Sequence, residues 1–424
     1  MTPLSPTARR IVLTVAIAGL LFDGFELGLM PVASLAVSES LLGDAYTKEL
    51  GGSWFANFTA ALMLGAAMGG IALGRLGDWI GRAKALGVSI LFYSLFAGVG
   101  AWVETQEQML VLRFLVGLGV GGVWPNAVAL ASECWPDKSR PKVAGLLGAA
   151  LNLGILALSQ VARVWPITVD SWRWIFGLAA VPAVLGVLVL WLLPESPAWL
   201  AVKKNALGKS TDEKLDKLSA DKRSILYELF TPPLLRLTLV GILLGSIPLV
   251  GAWAASKWMI PWADSVSKLS HPGYKATVQG WWAIGAVLGS YFGAQIASWL
   301  GRRRAYAVIS IGATTFTLLM FLGTQPLAPS FLPIVFAQAF VSTLFFGWLP
   351  LFLPELFPTR VRATGSGIAF NTGRFATAIG VFAAGWLFLA LDSSYSKVGA
   401  IGACVYALGA IAILWAPKKS DSLS

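Results

Sequence analysis

Two carboxylates lie within the first long apolar run of the sequence, in the stretch LLFDGFELGLM at residues 20–30. Asp23 and Glu26 are three residues apart, so on a helix they share one face. A charged side chain at the centre of a bilayer costs roughly 3 kcal/mol, so lipid would not tolerate this pair. A carboxylate whose proton affinity differs between two surroundings can couple proton movement to a conformational change. The spacing therefore predicts a proton-binding site that faces a cavity, with Asp23 as the coupling group.

Arg113, inside a later apolar run, is the expected counter-charge of this site. Counted at about 1.5 Å of helix rise per residue, its depth is compatible with that of Asp23, so we expect these two to pair. Glu26, nearer the surface, is then the structural member. The predicted proton-coupling set is Asp23, Glu26 and Arg113, and the alternative interpretation is an ion pair that only fixes helix packing.

Arg374 lies close to the predicted bilayer midplane, and its own apolar run offers no acid within helical reach. Its guanidinium stays charged and presents a planar fork that matches a carboxylate. An anionic substrate is therefore its simplest partner, with Asn371 one turn away as a second donor. The alternative interpretation is a hydrogen bond between two helices.

Tryptophans near the outer ends of two runs could stack on a ring-bearing substrate, although interfacial aromatic belts explain such residues equally well. Lys257 lies far along its run, where a long side chain can snorkel to the outer rim. Asn152 and Asn371 each begin an Asn-x-Gly sequence. The predicted substrate-binding set is Arg374, Asn371, Asn152, Lys257, Trp253 and Trp281.

The elements that must carry these side chains are long apolar helices. Of the 424 residues, 56% are hydrophobic and 12% are charged, whereas soluble domains carry about a quarter charged residues. Apolar runs of about 20 residues, enough for a hydrocarbon core of ~30 Å, recur along the chain. We predict an all-α membrane protein with twelve spans, at 11–38, 52–74, 83–103, 108–133, 142–162, 172–193, 234–262, 276–299, 305–324, 331–353, 363–390 and 397–416.

The net charge of +11 follows membrane topology and is not a nucleic-acid footprint. The connections on the side of the N-terminus, with their flanks, hold 23 of the 32 Lys and Arg residues. This excess predicts that both termini lie in the cytoplasm. The first ten residues lack the apolar region of a cleaved signal peptide, so we expect the first span to be retained.

The sequence gives no sign of an enzyme or of a metal centre. Cys134 and Cys404 have no evident partner, so neither a disulfide framework nor a metal site follows from them. The single histidine, His271, falls in an outer loop, and no nucleophile with its base is visible in the spans. We predict no catalytic residue, no metal and no cofactor other than a proton gradient as the energy source.

Six spans precede and six follow the polar stretch at 203–230, and the two halves repeat one another. ECWPDKSR, which begins at Glu133, matches ELFPTRVR, which begins at Glu355, 222 residues later. Duplicated halves with a site at their interface are typical of secondary transporters. The predicted organisation is a first six-helix bundle at 1–200, a cytoplasmic linker at 201–232 and a second six-helix bundle at 233–424.

Short basic motifs at helix ends on the cytoplasmic side predict a conformational latch. In GRLGDWIGRAK (74–84), an acid lies among basic residues, and AQIASWLGRRR (294–304) repeats much of this pattern. Ion pairs of this kind can stabilise one of two access states, while the alternative role is only to fix topology. The predicted latch residues are Gly74, Asp78, Gly81, Arg82, Glu133, Arg140, Arg302, Glu355 and Arg362.

These motifs carry a family resemblance over nearly the whole chain. GRLGDWIGRAK resembles the loop signature of the major facilitator superfamily, and LRFLVGLGVGG (112–122) resembles its fourth-span motif. PESPAWL (194–200) and PELFPTRVRATGSG (354–367) are similar to the sugar-porter-like branch. DGFE (23–26) and GRFATAIG (373–380) resemble the proton symporters of aromatic acids and sialic acid. The resemblance implies two six-helix pseudo-repeats and transport by alternating access.

We therefore expect a proton-coupled symporter of a small organic anion such as a carboxylate, an aromatic acid or an acidic sugar. A neutral sugar or polyol porter and a drug or cation efflux antiporter are alternatives within transport. A substrate sensor with the same fold and no net flux is an alternative from another class. The expected partners are a small anionic substrate, protons and the lipid bilayer, and we expect no binding to nucleic acid. We also expect the protein to be a monomer in the cell inner membrane.

Overall fold

The computed structural model describes residues 4–135, 140–207, 227–358 and 361–417, and these residues form helices without a strand. Twelve of the helices are long and apolar enough to cross a membrane, as the sequence predicts. They are α1 (Pro6–Ala45), α2 (Lys48–Ile80), α3 (Arg82–Trp102), α4 (Gln106–Cys134), α5 (Gly145–Val164), α6 (Arg173–Leu192), α7 (Leu234–Ser267), α8 (Tyr274–Leu300), α9 (Arg302–Leu322), α10 (Phe331–Glu355), α11 (Thr364–Ala390) and α12 (Tyr395–Trp415).

Several helices extend beyond the predicted spans because side chains cap their polar first turns. Ser5 accepts a hydrogen bond from the backbone N–H of Ala8 at the start of α1. At the start of α4, Thr105 and Gln108 form a reciprocal capping box. Hydropathy marks only the apolar centre of a helix, whereas capping satisfies the free backbone N–H groups of turns that lie outside that centre.

The helix α7 contains a break that the sequence analysis did not predict. A π-helical turn at Gly251–Ala255 is followed by a 3-10 turn at Ser256–Trp258. The side-chain amide of Gln338 in α10 donates to the Ser256 hydroxyl at 2.7 Å. Irregular backbone inside a membrane protein is stable where polar side chains of neighbouring helices lie against it. The break fixes the position of Lys257, which lies within the 3-10 turn.

The two halves use the same close helix packing. A Cβ atom added at Gly69 of α2 would lie 1.9 Å from the Leu118 carbonyl oxygen of α4. In the second half, a Cβ atom added at Gly289 of α8 would lie 2.2 Å from the Phe340 carbonyl oxygen of α10. These glycines are 220 residues apart, so the repeat seen in the motifs extends to the helix contacts. Small residues let membrane helices approach to backbone contact.

The halves meet along two pairs of helices, α5 with α8 and α2 with α11. In the first pair, the Asn152 side chain donates to the Ser290 hydroxyl at 3.0 Å. Between the halves, a short helix at Pro197–Leu207 begins the predicted linker, and residues 208–226 lie outside the described part of the chain. The limits of the two bundles and of the linker stay predictions.

Gly69→Ala should lower the thermal unfolding midpoint in detergent, because the added methyl group meets backbone that cannot move aside alone. Overpacking of this kind typically costs about 1–3 kcal/mol. Gly148→Ala in α5 is the matched control, since nothing lies within 4 Å of an added Cβ atom there. Alanine is otherwise the better helix former by about 1 kcal/mol. Equal unfolding midpoints for the two variants would contradict the close α2–α4 contact.

Candidate functional site

A cavity of about 400 Å³ opens between the two halves. It lies toward the face of the molecule at which α1 begins and α12 ends, here called the terminal face; the opposite face is called the far face. The wall comes from α4, α5, α8, α10 and α11 and is mostly apolar. Its polar side chains include Ser290, Ser366, Asn371 and Arg374. A single guanidinium in an otherwise apolar wall is suited to a ligand with one anionic group.

Arg374 connects α11 to two helices of the first half, α2 and α4. Its Nη1 donates to the carbonyl oxygens of Ala66 in α2, at 3.2 Å, and of Gly121 in α4, at 3.3 Å. Among the described residues, no acceptor binds its Nε or Nη2 groups, which leaves those N–H groups for a ligand in the cavity. Asn371, one turn earlier, donates to the Gly367 carbonyl at 3.0 Å. The structure thus places both predicted residues at the same wall.

The expected pair of Asp23 with Arg113 is wrong. Arg113 instead binds Glu26, with Nη1 and Oε1 at 2.5 Å and both side chains at most 1% exposed. The guanidinium also lies 5.4 Å from the centre of the Phe176 ring. Three residues of helix correspond to only about 4.5 Å along the axis, which is smaller than the error of span boundaries estimated from hydropathy.

Asp23 is buried, and its Oδ1 atom accepts no hydrogen bond from the described residues. The cation that interacts with it electrostatically is Arg374, from the other half. The sequence analysis missed this relation because 351 residues separate the two side chains in the chain. It also missed Tyr93, whose side chain is fully buried in the half that carries Asp23 and Glu26.

Lys257 does not reach the outer rim, which corrects the snorkelling expectation. Its side chain is 1% exposed, and its ammonium lies 3.3 Å from the centre of the Trp282 ring and 5.7 Å from that of Trp253. Trp281, predicted to bind substrate, lies on an exposed face of α8 and touches Phe336 edge-on. Of two adjacent tryptophans on a helix only one can point inward, and a periodicity argument would have been needed to choose Trp282.

The predicted latch residues form two clusters at the terminal face, one in each half. In the first half, Arg82 binds Asp78 at 2.5 Å and lies 3.5 Å from Glu133. Glu195, which the sequence analysis missed, accepts the backbone N–H of Arg82 at 2.9 Å. Gly81 has a φ of 114°, and a Cβ atom there would lie 2.0 Å from the Glu195 carboxylate, so glycine is required at this turn.

In the second half, Arg302 binds Glu355 at 3.0 Å. Arg362 is exposed and donates to the Phe357 carbonyl at 3.3 Å. In the first half, a Cβ atom added at the remaining latch residue, Gly74, would lie 3.7 Å from Pro125. The side chain of Arg140 lies outside the described part of the structure. Among the described residues, the ion pairs at this face act within each half, and none of them joins the two halves.

Contacts between the halves close the far face instead. Glu39 of the first half forms an ion pair with Lys268 of the second. Deeper in, Phe55 of α2 packs edge-on against Trp258 of α7 at 5.1 Å, and Trp258 stacks on Phe388 at 5.2 Å. Any route from the cavity to the far face is therefore blocked in this conformation.

The outer rim of this closure includes Tyr46 and Lys48, in the connection between α1 and α2 and at the start of α2. Lys48 lies 5.4 Å from the centre of the Tyr395 ring in the other half. Burial raises the pKa of Tyr46 to about 12, with a further contribution from the negative charge of Glu39. The phenol is therefore neutral at physiological pH, and opening this face does not require it to lose a proton.

Comparisons with known proteins point to one family. The sequence profile described as Major Facilitator Superfamily matches residues 15–381. The cis,cis-muconate transport protein of Acinetobacter baylyi is 28% identical over 421 residues, which cover 97% of this chain and 95% of that protein. The gallate transporter of Pseudomonas putida is 27% identical over 395 residues, which cover 87% and 83%.

A solved structure shares the fold. The inward-open conformation of the xylose transporter XylE from E. coli superposes with a TM-score of 0.73 at 18% sequence identity, over 98% of each chain. Identity at this level shows the common fold alone.

Glu26→Gln should lower the thermal unfolding midpoint more than Asp23→Asn does. Removing one partner of a buried ion pair leaves the other charge uncompensated, which typically costs about 3–5 kcal/mol. Asn at position 23 replaces a carboxylate whose Oδ1 accepts no hydrogen bond from the described residues. Thermal unfolding in detergent measures both variants.

Glu39→Gln is the control for loss of a carboxylate from an exposed ion pair. Such pairs contribute about 0–1 kcal/mol, so this variant should unfold near the wild-type temperature. If Glu26→Gln and Asp23→Asn unfold at the same temperature, the Glu26–Arg113 pair does not hold α1 to α4.

Proposed function

We propose that this chain, which belongs to the Major Facilitator Superfamily, is a proton-coupled symporter of a small organic carboxylate. The chain is an integral, multi-pass membrane transporter, and its relatives are transporters, not enzymes. The observation that carries the proposal is the placement of Arg374. It lines the cavity with N–H groups that no described residue accepts, and it lies within electrostatic range of the buried carboxyl of Asp23.

This arrangement favours anion binding after proton binding. When Asp23 is ionised, its negative charge already compensates Arg374, so a second anion beside them would meet repulsion. When Asp23 carries a proton, the guanidinium lacks a counter-charge in a low-dielectric site and attracts a carboxylate strongly. The proton and the anion thus bind in the same conformational cycle, because each improves the site for the other.

The comparisons support the class of substrate. Two relatives that align over most of their length carry names that specify cis,cis-muconate and gallate, and both compounds are carboxylates. Arg374 suits the group that these compounds share, since its fork matches two carboxylate oxygens. A cationic drug would face this guanidinium without compensation, and a neutral sugar would leave its charge unused.

We place the terminal face in the cytoplasm and the protein in the cell inner membrane. Arg75, Arg82 and Lys84 lie at the α2–α3 turn, and Arg302, Arg303 and Arg304 lie at the corresponding α8–α9 turn. Basic residues of short connections favour the cytoplasmic side. With this orientation the structure is open to the cytoplasm, where a substrate would be released.

Arg374→Ala should weaken carboxylate binding about tenfold to a hundredfold, because a charge-assisted hydrogen bond contributes about 1.5–3 kcal/mol. Arg374→Lys should restore binding only in part, since it keeps the charge and loses the fork. Calorimetric titration of the purified variants with cis,cis-muconate, gallate and benzoate measures this, with xylose as the neutral comparison.

Arg75→Ala, which removes an exposed guanidinium at the terminal end of α2, is the matched control and should bind like the wild type. Equal carboxylate affinity in wild type, Arg374→Ala and Arg374→Lys would make Arg374 a packing residue. Binding of xylose alone would replace the carboxylate proposal with a neutral-sugar porter.

Asp23→Asn should abolish proton-driven accumulation in proteoliposomes, because an amide cannot take up and release the coupling proton. Exchange of external for internal substrate needs no net proton movement, so it should persist in part. Asp44→Asn, which changes an exposed carboxylate at the end of α1, is the matched control and should accumulate substrate normally. Uphill uptake by Asp23→Asn at the wild-type level would remove Asp23 from the coupling mechanism.

A further inference from the structure

Lys257 is a buried cation that the proposed transport cycle does not use. Its side chain is 1% exposed, and its Nζ atom has no hydrogen-bond acceptor among the described residues. Other cations inside the helices differ in this respect, since Arg113 binds Glu26, Lys275 binds Asp264 and Arg374 interacts electrostatically with Asp23. In this conformation the charge of Lys257 rests only on the faces of two tryptophan rings.

A second buried side chain without hydrogen-bond partners in the described part of the chain lies in α8, three residues before Trp282. Gln279 is fully buried, and neither its amide nitrogen nor its carbonyl oxygen has a partner in the described ranges. It precedes Trp282, whose ring lies beside the Lys257 ammonium, by three residues, so the two side chains of α8 share one face of that helix. Nε2 of Gln279 also reaches α1, because a Cβ atom added at Gly28 would lie 3.1 Å from it.

The neighbouring glutamine, Gln338, has the hydrogen-bond partners that Gln279 lacks among the described residues. Gln338 is equally buried, but it accepts a hydrogen bond from Trp282 at 3.2 Å and donates to Ser256 at 2.7 Å and Thr317 at 3.2 Å. Buried amides are normally satisfied in this way. The atoms of Gln279 therefore lack a partner that another state of the protein, or a ligand, must supply.

Lys257 and Gln279 lie outward from Arg374 along the path between the halves. A Cβ atom added at Gly373, the neighbour of Arg374, would lie 3.1 Å from the Ser246 Cα atom of α7. Lys257 follows Ser246 by eleven residues, which places it about 15 Å closer to the far face. A small carboxylate cannot bridge that distance, so the two cations would bind a substrate at different moments.

We propose that Lys257 and Gln279 form a second carboxylate site, which the substrate occupies first when the transporter opens to the far face. The inference rests on the proposed function and adds where an external anion is captured. The ammonium and the amide N–H groups can each donate to a carboxylate oxygen, and the Trp282 ring forms a wall beside them. Closure of the far face then brings back the tryptophan contacts seen here, and the anion moves on to Arg374.

Lys257→Met tests this site with a side chain of similar length and no charge. We expect it to raise the KM for uptake from the far face about tenfold or more, since the lost contact is charge-assisted. The KM for transport from the terminal face should change less than about twofold, because capture there uses Arg374. Oriented proteoliposomes measure both values with cis,cis-muconate, gallate and benzoate. Gln279→Leu should shift the same far-face KM in the same direction.

Lys397→Met is the matched control, since Lys397 is exposed at the far face and pairs only with exposed Asp392. It should leave both KM values unchanged. Arg374→Ala should raise the KM from both faces.

Chemical rescue separates a binding role from a structural one. In a chain with Cys134→Ala and Cys404→Ser, Lys257→Cys should show the raised far-face KM. Aminoethyl methanethiosulfonate converts that cysteine into a disulfide-linked aminoethyl group, which restores an ammonium on a side chain one atom longer than that of lysine. The far-face KM should then return toward the wild-type value.

The outcomes distinguish this site from the proposed function. If wild type transports none of the three carboxylates, the proposed function fails and this site falls with it. If wild type transports them and Lys257→Met keeps the wild-type far-face KM, or aminoethylation changes nothing, Lys257 is a structural residue and only the second site is overturned.

Discussion

The charges inside the apolar bundle constrain the rest of the structure. The buried charged residues of the membrane-crossing helices include the cations Arg113, Lys257 and Arg374 and the carboxylates Asp23 and Glu26, while Lys275 pairs with Asp264 near the far face. Water is not available in the hydrocarbon core to stabilise such groups, so each needs a partner or a cavity. Arg113 and Glu26 form an ion pair within one half, whereas Asp23, Lys257 and Arg374 form no ion pair with a described residue.

The division between a permanent and a variable set of charges follows the division of the molecule into halves. Glu26 and Arg113 belong to the same half, so their bond survives any movement of one half against the other. Asp23 and Arg374 belong to opposite halves, so their separation changes when the halves rock. An electrostatic interaction that changes with conformation is what links the occupancy of a site to the direction in which it opens.

Helix packing makes such rocking possible without repacking each half. Within a half, α2 contacts α4, and α8 contacts α10, through glycines at backbone distance, and a contact that tight behaves as a rigid unit. Between the halves, the contacts are side-chain ones such as Asn152 with Ser290 and Glu39 with Lys268. Such contacts join the halves at the far face, whereas the cavity lies toward the terminal face, where the described ion pairs stay within each half.

The sequence by itself determined the class of the molecule. Twelve apolar runs, the repeated motifs 222 residues apart and the intramembrane positions of Asp23, Glu26, Arg113 and Arg374 can be read directly, because burial in lipid restricts which residue types a span can carry. Only the tertiary structure decided which charges meet. Arg113 binds Glu26 and not Asp23. The ring beside Lys257 is that of Trp282 and not of Trp281. Glu195 accepts a hydrogen bond from the backbone of Arg82. Each of these outcomes depends on shifts of a single residue or turn, and on contacts between distant segments. Hydropathy and motif spacing do not resolve shifts that small, whereas the packing of one helix against another does.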